Sequence, residues 1–259
     1  MPSVESLPYL LKELKLPGIK SYWQERAKIA ESLHWSYGEF LADILDMELT
    51  GREQRRLQEI MRQSKLPSTK TLSTLDLTAK QSINPAQIKH FSQDKSWLSQ
   101  AENLILLGPS GIGKTHIASA IGHGLIEQGA RVFFSSATML IQTLQQAKNE
   151  LKLKNTLDRL ARFDLLILDD IGYVKKSEQE TSVLFELINE RYETGSILIT
   201  ANQAFGDWEH IFPDSIMAVA AIDRLVHHAT IIQMTGESYR ATYAMNKNKK
   251  RRILKPKKF

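Results

Sequence analysis

Apolar positions change period along the chain. In the first third they recur every three or four residues: Leu7, Leu10, Leu11 and Leu14, then Phe40, Leu41, Ile44, Leu45, Met47 and Leu49, continued by Leu57, Ile60 and Met61. That spacing predicts helices. Pro17-Gly18 is expected to end the first, and Ile19 to Ser32 to form a second. Ser36 and Glu39 make an S-x-x-E capping box ahead of a third. This helix would run to Leu66, roughly 45 Å if straight, with Gly51 a place where it can kink. Pro67 to Thr71 is a polar break and the expected domain boundary.

Beyond the break the pattern alternates. Leu72 to Leu77 and Ile83 to Phe91 lead in, and then short apolar blocks alternate with helical stretches. Strands are predicted at Leu104–Leu107, Arg131–Phe134, Asp164–Asp170, Ser196–Thr200 and Thr230–Met234. Helices are predicted at His116–Gln128 (ended by Gly129), at 137–149 (capped by Ser136), at 155–162 and at Glu178–Glu193 (stopped near Gly195). Strands alternating with helices imply an α/β fold, a mostly parallel sheet with helices on both faces.

Composition narrows the class without choosing a function. The chain has 259 residues and no cysteine, so neither a disulfide framework nor a thiolate metal site is available. No apolar run approaches the ~18 residues of a membrane span, and charged residues break up the N-terminus. The expected compartment is the cytoplasm, with no membrane partner. Net charge is +5, but Lys247 to Lys258 alone carries eight cations and no acid, which leaves the rest at −3. Such a tail is either an arm for a polyanion or a solvated end. The second half of the long N-terminal helix carries Arg52, Arg55, Arg56, Arg62 and Lys65. It reads as a phosphate-contacting face or, given Glu53 and Glu59, as an ordinary solvated one.

The chemistry concentrates after the first strand. Leu104 to Leu107 runs into Gly108, Pro109, Ser110, Gly111, Ile112, Gly113, Lys114 and Thr115, a G-x-x-x-x-G-K-T loop that opens a helix at His116. The glycines allow backbone N–H groups to turn onto phosphate oxygens, and the helix start adds its positive dipole end. Lys114 can reach β- and γ-phosphates, and the Thr115 hydroxyl can ligate Mg²⁺. ATP with Mg²⁺ is therefore the expected cofactor, and the lead-in segment is of the kind that packs beside the adenine. The strand Leu165 to Leu168 delivers Asp169 and Asp170 at its C-terminal edge. Asp169 would hold the metal through water, and Asp170 would orient the attacking water. Asn202 ends another apolar strand and is the candidate sensor of the γ-phosphate. Arg224, shortly before the last strand, stands where a neighbouring subunit's nucleotide would be reached. His227 and His228 can ligate a metal only with a partner that the sequence does not reveal, and are read as ordinary helix residues.

Taken together, GPSGIGKTH, DLLILDDIG, ILITANQ, AAIDRLVHHA and GESYR resemble the IstB-type transposition helper ATPases of insertion sequences, relatives of the DnaC helicase loader in the AAA+ class. The resemblance covers nearly the whole chain. It implies an AAA+ core with sheet order 5-1-4-3-2, ATP-dependent homo-oligomers on double-stranded DNA with nucleotide at subunit interfaces, and recruitment of a transposase encoded by the same element. It further implies Arg240 as a second-sensor arginine at the nucleotide. A helical insertion for DNA would fall between Ala137 and Arg162, which places Lys148, Lys152 and Lys154 among the DNA-contact candidates. Lys247, Lys249, Lys250, Arg251 and Arg252 of the tail join them.

The implied organisation is a helical domain at 1–67, an ATPase domain at 68–246 and a basic tail at 247–259. Two departures stand out. Asp170 replaces the usual Glu, one methylene longer, so turnover is expected to be slow. About twenty-five residues follow the last strand, much of them tail, so no helical lid is expected. Two other functions share these motifs: a replicative helicase loader, and a small-molecule kinase, which would want a lid and no Asn202-type sensor.

Overall fold

The chain forms two compact units, residues 1–59 and 60–259, divided inside the third helical stretch and not at the Pro67 break. A computed structural model describes residues 3–75, 83–171, 177–202, 215–236 and 238–239, with the backbone alone at 215–218. Among them, no helix is long and apolar enough to cross a membrane.

The first unit is helical: α1 (Leu7–Glu13), α2 (Pro17–Ser32) and most of α3 (Tyr37–Ser64). Leu11, Ile19 and Ile44 are its buried centre, with Leu7, Leu16, Trp23 and Phe40 packed around them. Pro17-Gly18 opens α2 instead of closing α1, which has already ended at Glu13. Proline suits that first position because its missing N–H would have no helical partner there. Gly18 is set by Glu48: a Cβ on it would lie 2.7 Å from the Glu48 Oε2. Glu48 is buried and accepts from the Ile19 N–H (3.0 Å), Arg52 Nε (3.0 Å) and Arg55 Nη2 (3.4 Å). Burial alone pushes this carboxyl up, but the Ile19 and Arg52 hydrogen bonds outweigh it and leave it below the usual range. Ser36 and Glu39 form the expected capping box. The helix α3 runs unbroken through Gly51.

The second unit begins with the end of α3, whose Ile60 and Met61 pack with Leu66 into its core. It continues with α4 (Pro85–Gln93), α5 (Ser96–Ser99), β1 (Asn103–Leu107), α6 (Lys114–Glu127), β2 (Val132–Ser136), α7 (Ala137–Asn149) and α8 (Leu153–Ala161). Then come β3 (Leu165–Asp169), α9 (Glu178–Arg191), β4 (Ser196–Ala201), α10 (Ser215–His227) and β5 (Ala229–Gln233). All pairings are parallel, in the order β2-β3-β4-β1-β5, which is the expected 5-1-4-3-2 read from the other edge.

Strand residues alternate between two cores, as a period of two requires. Ile105, Leu166, Leu168, Ile197 and Ile199 face α7, α8, α9 and α10. Leu104, Leu106, Leu165, Ile167 and Leu198 face α4 and α6. Continuous apolar strands are what a sheet covered on both faces demands.

Two buried polar side chains lock the N-terminal ends of the strands. Asn103 donates to Leu225 O (3.0 Å) and accepts from the Ile197 N–H (2.8 Å), joining β1, β4 and α10. Arg191, at the end of α9, donates to Phe163 O (2.7 Å), Asp164 O (3.0 Å) and Ser196 O (2.7 Å), so one guanidinium ties the starts of β3 and β4. Burial pushes it down to about 10, with Asp164 pulling the other way, so it stays charged at neutral pH. Replacing Arg191 by Met should strand these carbonyls and lower unfolding stability by about 3 kcal/mol, read from urea denaturation. A change within experimental error would show that the clamp is dispensable.

Candidate nucleotide site

Parallel strands bring their C-terminal ends to one edge, and β4 lies between β1 and β3. The loop that follows β1 is fastened to both neighbouring strands. The Gly108 N–H donates to Ala201 O of β4 (3.2 Å), and the Met234 N–H, just after β5, donates to Leu107 O (2.7 Å). Gly108 has φ +146° and a Cβ there would lie 2.2 Å from Met234 O, so no other residue fits. Ile112 anchors the loop in the core, while Pro109 and Ser110 are exposed at its rim.

Lys114 is buried, and its ammonium donates to Gly108 O (2.7 Å) and Pro109 O (2.9 Å). The charge therefore sits inside the curve of the loop, at the positive end of α6, where phosphate oxygens can compete for it. Thr115 is half-buried in the first turn of α6.

The acids are organised by a residue that the sequence did not single out. The Thr200 hydroxyl donates to Asp169 Oδ1 (2.6 Å) and accepts from the Asp170 N–H (2.9 Å). A hydroxyl can do both at once. Thr200 is 1% exposed, so water does not compete for these bonds. They orient the Asp169 carboxylate and hold Asp170 at φ +65°, a left-handed conformation that costs a non-glycine residue about 1 kcal/mol or more. The signal was present: a hydroxyl residue at the C-terminal end of a fully buried, mostly apolar strand, two positions before Asn202. Asn202 follows β4, between the loop and the acids. Its Oδ1 is buried and has no protein partner among the described residues. A buried carbonyl oxygen left so costs about 1–3 kcal/mol, which a water or ligand donor removes.

The Thr200 hydroxyl engages only Oδ1 of Asp169. A hydroxyl at Thr115 and a carboxylate at Asp169 are hard oxygen donors, the set that suits Mg²⁺.

Other expected residues have different surroundings. The His116 ring bonds to Thr71 O (3.1 Å) and Thr74 Oγ1 (3.0 Å), fastening the lead-in segment to α6. Ser238 and Tyr239 press on the loop, with the Tyr239 N–H donating to Gly111 O (3.1 Å). Arg240 lies outside the described residues, as do Lys247, Lys249, Lys250, Arg251 and Arg252 of the tail. The Arg224 guanidinium stands over the rings of Phe185 (5.3 Å) and Tyr192 (6.0 Å) on the α9 side and donates to Ala220 O.

Six of the basic residues considered for DNA are in ion pairs within the chain. Lys148 pairs with Glu186, Lys152 with Glu150, and Lys154 with Asp158 and Glu190. Arg52 and Arg55 serve the buried Glu48, and Arg56 pairs with Glu53.

A parallel sheet in this order, with a lysine-bearing glycine loop after β1, paired acids after β3 and a polar amide after β4, defines a P-loop ATPase core of the AAA+ class. The chain belongs to the IstB-like ATP binding protein family, whose model matches residues 9–248. It is 47% identical over 245 residues to an insertion sequence ATP-binding protein of Sinorhizobium fredii, covering 95% of this chain and 82% of that one. It is 38% identical to the insertion sequence IS21 ATP-binding protein of Pseudomonas aeruginosa, covering 92% and 89%. Among solved structures the fold is similar to the DnaC helicase loader, with 20% identity, a TM-score of 0.50 and coverage of 61% of this chain and 98% of that one. It is also similar to AMPPCP-bound DnaA from Aquifex aeolicus, with 20% identity, a TM-score of 0.55 and coverage of 74% and 59%.

Lys114→Ala removes a charge-assisted bond to phosphate and should weaken ATP roughly tenfold to a hundredfold in calorimetric titration, with the circular dichroism spectrum unchanged. Undiminished affinity would place the nucleotide elsewhere.

Proposed function

We propose that the protein is an ATP-hydrolysing helper of insertion-sequence transposition. Holding ATP and Mg²⁺, it assembles with copies of itself on double-stranded DNA, and the assembly recruits and stimulates the transposase of the same element. The observation that carries the catalytic part is the Thr200 bridge between Asp169 and Asp170, set beside the unpartnered Asn202 Oδ1. Family membership and the insertion-sequence relatives support the transposition part. The compartment would be the bacterial cytoplasm, where that DNA lies.

In this reading Gly108 to Thr115 holds the phosphates, and Lys114 shifts from the loop carbonyls to the β- and γ-phosphates. Mg²⁺, when bound, neutralises phosphate charge; Thr115 and Asp169 would hold it. Asp170 orients the attacking water and takes up its proton, and Asn202 Oδ1 accepts a hydrogen bond from that water. The short Asp170 side chain makes turnover slow. Arg224, parked on Phe185 and Tyr192, reaches the nucleotide of a neighbouring subunit. Residues 1–67 make DNA, partner or subunit contacts, 68–246 carry the ATPase, and the tail 247–259 adds phosphate contacts. The lysines at 148, 152 and 154 are exposed, and surface ion pairs are worth about 1 kcal/mol or less, so DNA phosphates can displace their carboxylate partners.

The helicase-loader reading rests on a likeness of fold alone, at 20% identity, against 47% for the insertion-sequence relative.

Thr200→Val should leave ATP affinity within about twofold while hydrolysis falls at least about tenfold, and Thr200→Ser should restore most of it. Hydrolysis unchanged in the valine variant would remove the bridge from the chemistry. Arg224→Ala should bind ATP normally and lose hydrolysis; loss of binding instead would sink its role across the interface. Electron microscopy with duplex DNA should show multimers on the duplex with a non-hydrolysable ATP analogue and none without nucleotide. Deleting residues 247–259 should flatten the salt dependence of duplex binding. Nucleotide-independent or absent assemblies would overturn the proposal.

A further inference from the structure

The turn after α9 and the end of α10 bring together three side chains far apart in sequence. Glu193, His227 and His228 each offer one ligand atom, and these atoms lie within 4.8 Å of one another. The two imidazole centroids are 4.1 Å apart. Adjacent residues on a helix normally point about 100° apart. Here His227 is the last residue of α10 and His228 lies in the turn beyond it, so both rings fall on one side.

From these observations we propose a divalent transition-metal site at Glu193, His227 and His228, of the class that takes two imidazoles and a carboxylate, with Zn²⁺ foremost. It stands independently of the ATPase reading.

Three features point to an ion in place of a plain ion pair. First, the His228 Nε2 to Glu193 Oε1 distance is 3.9 Å, too long for a hydrogen bond. Ligands of one Zn²⁺ stand roughly 3.4 Å apart when each is about 2.1 Å from the metal, so exposed side chains that start within 4.8 Å of one another close the set by moving about 1.4 Å or less. Second, His227 Nδ1 is 3.0 Å from the Tyr192 hydroxyl. With Nδ1–H donating to that hydroxyl, the bond is of the outer-shell kind that orients a ligating histidine and leaves Nε2 for the metal. Third, the backbone is held on both sides. The Asn103 N–H donates to His228 O (2.7 Å), and Asn103 Nδ2 to Leu225 O. The Thr194 N–H donates to Arg191 O (3.1 Å), so the Glu193 turn is equally fixed. The site therefore joins two rigid ends, and a fourth position stays open to water or another donor.

The ion would also reach Arg224. Tyr192 lies against both imidazoles and under the Arg224 guanidinium, so a metal that fixes His227 fixes the surface on which Arg224 rests.

The test uses the full-length, nucleotide-free protein with Mg²⁺ present in excess, titrated with zinc chloride in a calorimeter. The parent should bind one equivalent. Glu193→Gln and the His227→Ala/His228→Ala pair should each weaken it at least tenfold, with circular dichroism unchanged. Cobalt(II) should give visible d–d absorption in the parent that both variants lose. Since Glu193 is exposed, its conservative variant keeps the test valid if the double variant folds poorly. A parent that binds no zinc, or variants that bind it as tightly, would overturn the site.

Discussion

The site depends on one strand, β4, lying between the strand that ends in the phosphate loop and the strand that ends in the acids. From it the Ala201 carbonyl holds Gly108, the Thr200 hydroxyl holds Asp169 and Asp170, and Asn202 enters the space between. Any slip of register would move all three at once, because one residue of slip turns every side chain to the other face. The interactions that prevent slip are at the opposite end of the sheet. Arg191 ties the starts of β3 and β4, and Asn103 ties β1 to β4 and to α10. Both are polar groups buried with partners, which makes them costly to misplace and so specific.

The same economy appears in the helical unit. A buried carboxylate, Glu48, collects a backbone N–H and two arginines, and Gly18 makes room for it. These arginines stood in the sequence as a basic face. In the fold, two of them satisfy an internal acid. Charge along a helix does not reveal whether it faces solvent, a polyanion or a buried counter-charge, because that depends on what crosses it.

Aromatic and imidazole groups serve as props, at the loop and away from it. His116 holds the segment Thr71 to Thr74 beside the loop, and Phe185 and Tyr192 hold Arg224. An arginine stacked on rings keeps its shape and charge while its N–H groups stay available to an anion. That suits a residue proposed to serve another subunit's nucleotide.

Local pattern was enough for much of this. The glycine loop, the strand and helix periods, the paired acids and the fully apolar strands follow from residues within one element, where backbone sterics and side-chain period act directly. The sheet order was legible through the family resemblance carried by those motifs. What the sequence could not show lies between elements. Pro17-Gly18 was read as a stop and is a start, because the residues around Glu48 decide it. Gly51 sits in an unbroken helix, because continued hydrogen bonding outweighs one residue's backbone freedom. Thr200 looked like a strand residue until the register put its hydroxyl opposite two acids. The acid beside the two histidines, Glu193, lies thirty-four residues before His227 and is brought near only when α9 and α10 pack side by side. Sequence spacing determined which elements form and which edge bears the chemistry. Tertiary packing decided which polar atoms meet, since hydrogen bonds and ligand sets act over about 3 to 5 Å and carry no trace of distance along the chain.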